Sequence, residues 1–355
     1  MSIYPERLGY IAAKKETTYN TDPTIAIPTD LLYCEELSHD QNYEMAARTG
    51  DSPKRAGFKM VRTNYDGPIS LTCEIDQISI SGDSSVPVCD PILHCCGFNR
   101  TPSTGGENKT QTYILDSTPK GSSWFEIAEV NDDKDDCAIY EYGGVRADWT
   151  LTMPGDGIWT FAMDGNSASG TYARKGSGPD AGVDYDGNIC ELPAVGGGCV
   201  VVISVVEDDT TYPIATAALH SAEFQGNMGL QSKNTLGGRY VTLVPTEPVG
   251  GSLTLEQVDF NEGFDPYDIR NNSKVFTVFV ASQDLSFTGL VPANDGKYVA
   301  VFGSFVISDF AKGLAMGART WEINLAGAYP EDSADGGGLD PADDFRIIFG
   351  EFTAS

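Results

Sequence analysis

The residues that could do chemistry are few and dispersed along the chain. Three histidines occur in 355 residues: His39 in a polar loop, His94 in an apolar segment and His220 at the start of a strand-like run. No catalytic partner can be assigned to any of them. The chain also lacks a G-x-S-x-G elbow, a Walker loop, an H-E-x-x-H motif and a dinucleotide fingerprint. We therefore predict that the protein is not an enzyme and needs no cofactor.

The cysteines form an even set without the spacing of a metal site. His94, Cys95 and Cys96 adjoin one another, but no C-x-x-C pair accompanies them. A low density of cysteine in a long chain without a visible export signal is typical of reduced, buried thiols. We expect no metal here. We predict that all eight cysteines are reduced, buried thiols: Cys34, Cys73, Cys89, Cys95, Cys96, Cys137, Cys190 and Cys199.

Asp-rich segments offer the other possible ligands. They lie at 132–136, 180–187 and 332–344. Carboxylates in the loops of an all-β protein can bind calcium, and aromatic residues, 10% of the chain, can stack on sugars. A calcium-dependent carbohydrate-binding module is therefore one hypothesis. Against it, no segment has the D-x-[DN]-x-[DN]-G pattern followed by a distant Glu.

The charge balance excludes another class of protein. The formal net charge is −28, whereas domains that grip nucleic acid carry clustered Lys and Arg to neutralise phosphates. No run approaches the roughly 18 apolar residues that span a bilayer. No basic region followed by an apolar core opens the chain, so we expect synthesis in the cytoplasm and no membrane partner.

The elements that must position any site are mostly β-strands. Residues 69–80 alternate apolar and polar side chains, which predicts a strand with one buried face. Pro154 to Gly157 predicts a hairpin turn. Helical signals are short: Asp90 caps 91–96 with Gly97 as the stop, and 309–316 is a second candidate. Further predicted strands cover 148–153, 158–163, 199–206, 252–258, 274–280, 298–307, 321–325 and 343–352.

A weak internal echo suggests two related halves. Residues 66–74 match 249–256 in type, and each stretch is followed by an Asp-Pro step. A stretch at 145–151, in which an Arg precedes a Trp, is similar to a second such stretch at 317–323. We predict an arm over 1–30 and two fused β domains over 31–175 and 176–355.

The opening stretch gives the most specific signal. From residue 7 it runs Arg-Leu-Gly-Tyr-Ile-Ala-Ala-Lys-Lys-Glu-Thr-Thr-Tyr-Asn-Thr-Asp-Pro-Thr. It resembles the start of the tail tube (major tail) proteins of long-tailed bacteriophages, which carry a Glu-Thr/Ser-Thr-Tyr-Gly-Thr-Asp-Pro phrase. Asn20 stands where the family often has Gly, and Asn tolerates the left-handed conformation of such a turn. Three later segments are similar to the family in the same order: 91–98, 219–227 and 242–256.

The resemblance implies a virion structural protein and a mostly β fold. Tail-tube-type sandwich or barrel domains, here two in tandem with few short helices, close into homo-oligomeric rings that stack into a hollow tail. Fused, duplicated members form trimeric rings with a pseudo-sixfold wall, and single-domain members form hexamers. The implied partners are other copies of the chain, a tape-measure protein, and terminator and distal tail proteins. DNA passes through without specific binding, and acidic side chains on the lumen would repel its phosphates during ejection.

Two sets of residues are candidates for assembly contacts. A Pro-broken arm at 1–30 is suited to lie across a neighbouring copy. Between 31 and 66 a local basic cluster is suited to dock on the acidic face of the next ring. The arm residues are Lys14, Lys15, Glu16, Tyr19, Asp22 and Pro23, and the inter-ring residues are Arg48, Lys54, Arg55, Lys59 and Arg62.

Overall fold

The computed structural model is mostly antiparallel β-sheet with two short helices. Neither of these helices, among the residues described, is long and apolar enough to cross a membrane. The structure describes residues 8–27, 29–47, 60–116, 118–130, 137–175, 193–196, 199–205, 210–214, 219–235, 238–245, 247–256, 265–282, 287–288, 291–292, 295–315, 317–327 and 345–353.

Among the described residues, twelve strands and one helix lie before residue 176. They are β1 (Leu8–Lys15), β2 (Leu31–Leu32), β3 (Glu36–His39), β4 (Asn42–Ala47), β5 (Met60–Asp66), β6 (Pro68–Glu74), α1 (Asp90–Cys95), β7 (Phe98–Ser103), β8 (Asn108–Leu115), β9 (Ser123–Val130), β10 (Cys137–Pro154), β11 (Thr160–Asn166) and β12 (Ser169–Lys175).

The described part of the chain after residue 176 contains twelve further strands and one helix. They are β13 (Val200–Val205), β14 (Thr210–Ile214), β15 (Leu219–Gly226), β16 (Gln231–Thr235), β17 (Gly238–Thr242), β18 (Gly250–Glu256), α2 (Pro266–Asn271), β19 (Phe276–Ala281), β20 (Phe287–Thr288), β21 (Val291–Pro292), β22 (Gly296–Ala315), β23 (Ala318–Gly327) and β24 (Arg346–Phe352).

Period-two alternation located several of the described strands, with less accurate ends, and missed others such as β7, β8 and β9. In β6 every second side chain is buried, as the alternation requires. The predicted strand at 69–80 nevertheless stops at Glu74, beyond which Asp76 makes only an isolated bridge to Pro193. The predicted helix at 309–316 is wrong, because residues up to Ala315 continue β22 and pair with β23.

Two long strands join the sheets of the molecule. The first part of β10 pairs with β9 and β12, and the second part with β11 and β15. A register shift between Tyr142 and Val145 marks the bend. There Gly144 has φ +64°, and a Cβ on it would lie 2.9 Å from that of Ala168, so glycine suits both the turn and the close approach. The strand β22 divides in the same way between β19 and β24 and then β23.

The order of pairing recurs along the chain. In the first set β1 pairs with β2 and β9, β3 with β6, β6 with β11, and β10 with β9, β11 and β12. In the second set β13 pairs with β14 and β19, β15 with β18, β18 with β23, and β22 with β19, β23 and β24. The helices α1 and α2 follow β6 and β18, at the two Asp-Pro steps. The Arg-Trp echo does not fit this order, because Trp149 lies in β10 and Trp321 in β23.

A continuous core lies between the sheets. The ring of Trp149 stacks on Phe161 and Phe345, with centroids 5.9 and 5.0 Å apart, and Phe345 also contacts Phe98 and Phe224. All five rings are buried. The two sets of strands are also joined directly, by the pairings of β10 with β15 and of β8 with β24.

Candidate functional site

The opening phrase is built into its own chain. Residues 8–15 form β1, which pairs with β9 and β2, whereas the sequence predicts a separate arm over 1–30. The reason is that both faces of β1 are apolar: Ile11 and Ala13 pack in the main core, while Tyr10 and Ala12 pack with Leu31 in a second cluster. The pairing therefore makes these residues part of the first set of strands.

Glu16 is the central residue of the phrase, and its carboxylate is buried. One oxygen accepts from Gly144 N–H at 2.7 Å. The other accepts from Asn20 N–H at 2.8 Å and from the Ser122 hydroxyl at 2.5 Å. These donors hold the turn that follows β1 against the bend of β10.

Tyr19 links the phrase to β17, which pairs with β16 in a separate two-stranded sheet. Its hydroxyl accepts from Val241 N–H at 2.7 Å and donates to Val241 O at 3.2 Å, while its ring stacks on Tyr240. The Arg146 guanidinium lies 4.7 Å from the Tyr19 ring centroid and donates to the carbonyl oxygens of Lys120, Gly121 and Val241. Burial raises the pKa of the Tyr19 hydroxyl, so the neutral, donating form persists.

The other predicted arm residues also contact this chain. Asn20 has φ +54°, the left-handed conformation expected of this turn residue. The Asp22 carboxylate accepts from Thr24 N–H at 2.7 Å across half-buried Pro23. Two ion pairs complete the set, Lys14 with Asp30 at 3.0 Å and Lys15 with Asp90 at 2.6 Å.

Asp90 has a different role from the one predicted for it. The residue that caps α1 is Cys89, without a side-chain hydrogen bond, and Asp90 is the first helical residue. Its carboxylate accepts from the Tyr113 hydroxyl at 2.5 Å as well as pairing with Lys15. Asp265, in contrast, does cap α2, accepting from Tyr267 N–H at 2.9 Å.

The three histidines lie in different settings. His39 is in β3 rather than a loop, with Nδ1 2.7 Å from the Tyr142 hydroxyl and Nε2 3.5 Å from Glu129. His94 lies in α1, where burial lowers its pKa to about 4, and His220 lies near the start of β15. Within the described ranges no three His, Cys, Asp or Glu residues are grouped to hold a metal, and six cysteines there are free thiols.

Several predicted residues fall outside the described part of the chain. Of the basic cluster only Arg62 is placed, by its backbone, in β5 opposite Met45. The Asp-rich segments at 132–136, 180–187 and 332–344 are likewise not described. The undescribed members of the cluster are Arg48, Lys54, Arg55 and Lys59.

The largest shared feature of the two sets is one polar sheet face. The strands β3, β6, β11, β10, β15, β18, β23 and β22 pair in that order. Residues directly opposite one another share a face, so the register determines its composition. Ser, Thr, Asn and Gln predominate between the acids. We call this surface the acidic face, after its carboxylates: Glu36, Glu74, Asp148, Asp164, Glu223, Glu256, Asp309 and Glu322.

Basic side chains are scarce on the acidic face. Among the described strand residues whose register places them there, Arg146 is the only Lys or Arg, and its guanidinium is engaged by three backbone carbonyls. Part of the face forms a groove of about 1390 Å³, lined among others by Glu36, Glu129, Asp148, Asp164 and Glu247. The surface is therefore one on which a polyanion meets repulsion and almost no positive charge.

Asp148 and Asp164 stand directly opposite each other in this face. Burial raises the pKa of the Asp148 carboxyl, its hydrogen bond from Met228 N–H lowers it, and the charge of Asp164 raises it again. Like charges at opposite positions destabilise a sheet. The pair thus costs folding energy that a fold selected for stability alone would avoid.

Sequence reasoning did not locate the acidic face. It identified the alternation in individual strands, but the face exists only once eight strands are placed side by side in register. The signal available was the outward positions of single strands, such as Asp148, Thr150 and Thr152 of β10, which alternate with buried Trp149 and Leu151.

The comparisons with known proteins leave the chain without an assigned family. No family model matches it, and no curated protein is similar to it.

Proposed function

We propose that the chain is a virion structural protein whose copies close into rings, and that the rings stack into the hollow tail tube of a long-tailed bacteriophage. The observation that carries the proposal is the acidic face. It crosses both sets of strands as one surface, with eight carboxylates and a single, engaged arginine among the described strand positions.

Such a face suits passage of DNA rather than its capture. Duplex DNA carries a negative charge for about every 1.7 Å of its axis, and proteins that retain it neutralise phosphates with Lys and Arg. A wall of carboxylates, Ser and Thr repels phosphates and offers no counter-charge. Facing a channel, it would keep the duplex away from the wall and permit sliding.

The recurring strand order supports a ring with few subunits. Two similar sets of strands in one chain provide two similar wall segments. Three copies would then supply a pseudo-sixfold wall, which favours a trimeric ring over a hexameric one. The resemblance of the opening phrase to tail tube proteins supports the same proposal. On this account the protein resides in the virion tail, with the tape-measure, terminator and distal tail proteins as partners.

The test is assembly of the purified full-length chain. Light scattering across a concentration series and negative-stain microscopy should show rings and stacked tubes with a hollow centre. A strictly monomeric species at the highest concentration would contradict the proposal. A melting temperature that rises with millimolar calcium and falls again with chelator would instead support the calcium-dependent binding module.

A further inference from the structure

Two strand edges have no partner strand among the described residues. Beyond Ile307, β22 pairs with β23 along one edge, and no described strand lies along its other edge. On the far side of the molecule, β3 pairs with β6 along one edge only. Free edges of this kind invite pairing with another chain, and folded proteins usually cover or protect them.

The chain already contains one example of the strand pairing that would cover both edges, and we call this pairing of β10 with β15 the internal joint. The strand β10 leads into β11 as β22 leads into β23, and β3 pairs with β6 as β15 pairs with β18. Inside the chain, β10 of the first set pairs antiparallel with β15 of the second. The two edges without a partner belong to the strands that correspond to these: β22 of the second set corresponds to β10, and β3 of the first set corresponds to β15.

We propose that β22 of one copy pairs antiparallel with β3 of a second copy, in the register of the internal β10–β15 joint. The register follows from the matched stretches Ser70-Leu71-Thr72 and Ser252-Leu253-Thr254. Leu37 lies opposite Leu71 as Ala222 lies opposite Leu253, so Leu37 corresponds to Ala222.

The same reasoning matches the other side of the joint. Phe161 pairs with Cys73 and Leu151, and Trp321 pairs with Leu255 and Lys312. Leu151 therefore corresponds to Lys312. Two residues further along, Met153 corresponds to Leu314. Because Met153 lies opposite Ala222 in the internal joint, Leu314 of one copy meets Leu37 of the next.

Exposure supports this correspondence independently. Met153 is 0% exposed, because β15 and the second set of strands cover it. Leu314 is 78% exposed, the highest value among the large apolar side chains described. Leu314 therefore occupies a position that is buried in the first set of strands but exposed in the second. A second copy packed against this edge would bury it.

The charges around the two edges are complementary. Lys312 and Arg319 flank Leu314 at the end of the β22–β23 hairpin. Exposed Glu35, Glu36 and Asp40 surround β3. The cations at the β22 edge of one copy would attract the carboxylates at the β3 edge of the next. Two β22 edges, or two β3 edges, would repel each other, so the charges favour head-to-tail contact.

A head-to-tail joint extends the acidic face from copy to copy. Contacts between unlike surfaces generate closed rings when the rotation closes. The joint would supply the ring contact of the proposed tube, and in that respect it rests on the proposed function. The pairing itself can be tested separately.

The experiment is disulfide trapping of the full-length chain. Leu37→Cys with Leu314→Cys should give a ladder of covalent oligomers under oxidation, because opposite Cα atoms in antiparallel strands lie about 4.5–5.5 Å apart, within disulfide range. A second pair at exposed positions, Asp40→Cys with Ala311→Cys, tests the same register if the first variant folds poorly. The wild type controls for native cysteines. The mismatched pair Asp40→Cys with Leu314→Cys should give far less ladder, since three residues add roughly 10 Å.

Microscopy of the same samples separates the two proposals. A ladder with tubes supports both. A ladder without tubes retains the joint and overturns the tube. Tubes without a ladder from either matched pair retain the tube and overturn the joint, and the absence of both overturns both.

Discussion

The buried carboxylate of Glu16 explains why the opening phrase has its composition. It accepts three donors where the turn after β1 meets the bend of β10. Asn20 supplies the left-handed turn residue, and Tyr19 reaches the backbone of β17. The phrase therefore joins the first set of strands to the β16–β17 hairpin, and a deletion of residues 1–24 should unfold the protein because it removes β1.

Replacing Glu16 tests this role. Glu16→Gln keeps the shape but puts an amide N–H against a donor and removes the charge. We expect the free energy of unfolding to fall by about 2 kcal/mol, measured by urea denaturation. Glu107→Gln, at an exposed carboxylate, is the matched control and should change little. Equal stability of the two variants would show that the Glu16 network is unimportant.

A second prediction at this scale concerns the opposed pair in the acidic face. The raised pKa of Asp148 means that its ionisation opposes folding as pH rises through that pKa. Asp164→Asn removes one cause of the shift, so the Asp148 pKa should fall, as followed by NMR titration. The variant should be slightly more stable than the wild type at pH 7 and equal to it below the ordinary Asp pKa. An unchanged Asp148 titration would contradict the pairing.

At the scale of elements, the local sequence pattern predicted those strands and helices whose conformation depends mainly on neighbouring residues. Alternation identified β6, residues 148–153 in the second part of β10, and most of β18, β19 and β24, and Asp90 to Gly97 marked α1. It failed at 309–316, where pairing with β23 determines the conformation. Nor could it bring Asp148 opposite Asp164, or Leu314 to an uncovered position, because these depend on register between strands distant in sequence.

Matched truncations at the two corresponding positions measure the difference between a covered and an uncovered edge. Met153→Ala should lower the free energy of unfolding of the chain by about 2–5 kcal/mol, since it leaves a cavity in the core. Leu314→Ala should stay within about 0.5 kcal/mol in the unassembled chain. It should instead weaken self-association, measured by sedimentation. A large loss of monomer stability from Leu314→Ala would show that this side chain is already covered within one copy.

At the scale of the molecule, the acidic face should determine how the assembly treats DNA. Asp164→Lys with Glu223→Lys converts two repelling groups into phosphate ligands. We expect the assembled variant to bind a short duplex with strong salt dependence, by fluorescence anisotropy, while the wild type does not. Glu107→Lys with Asp156→Lys makes the same change in net charge off the acidic face. Equal DNA binding by the two variants would mean that DNA contacts the acidic face no more than the rest of the surface.

The most direct test of the account is where the acidic face lies in the assembly. An electron cryomicroscopy reconstruction of tubes grown from the wild-type chain would show this. We predict that Asp148, Asp164 and Glu223 line the channel, on a sheet that continues from copy to copy. A channel lined by other surfaces, with these carboxylates on the outside of the tube or buried between rings, would contradict the account.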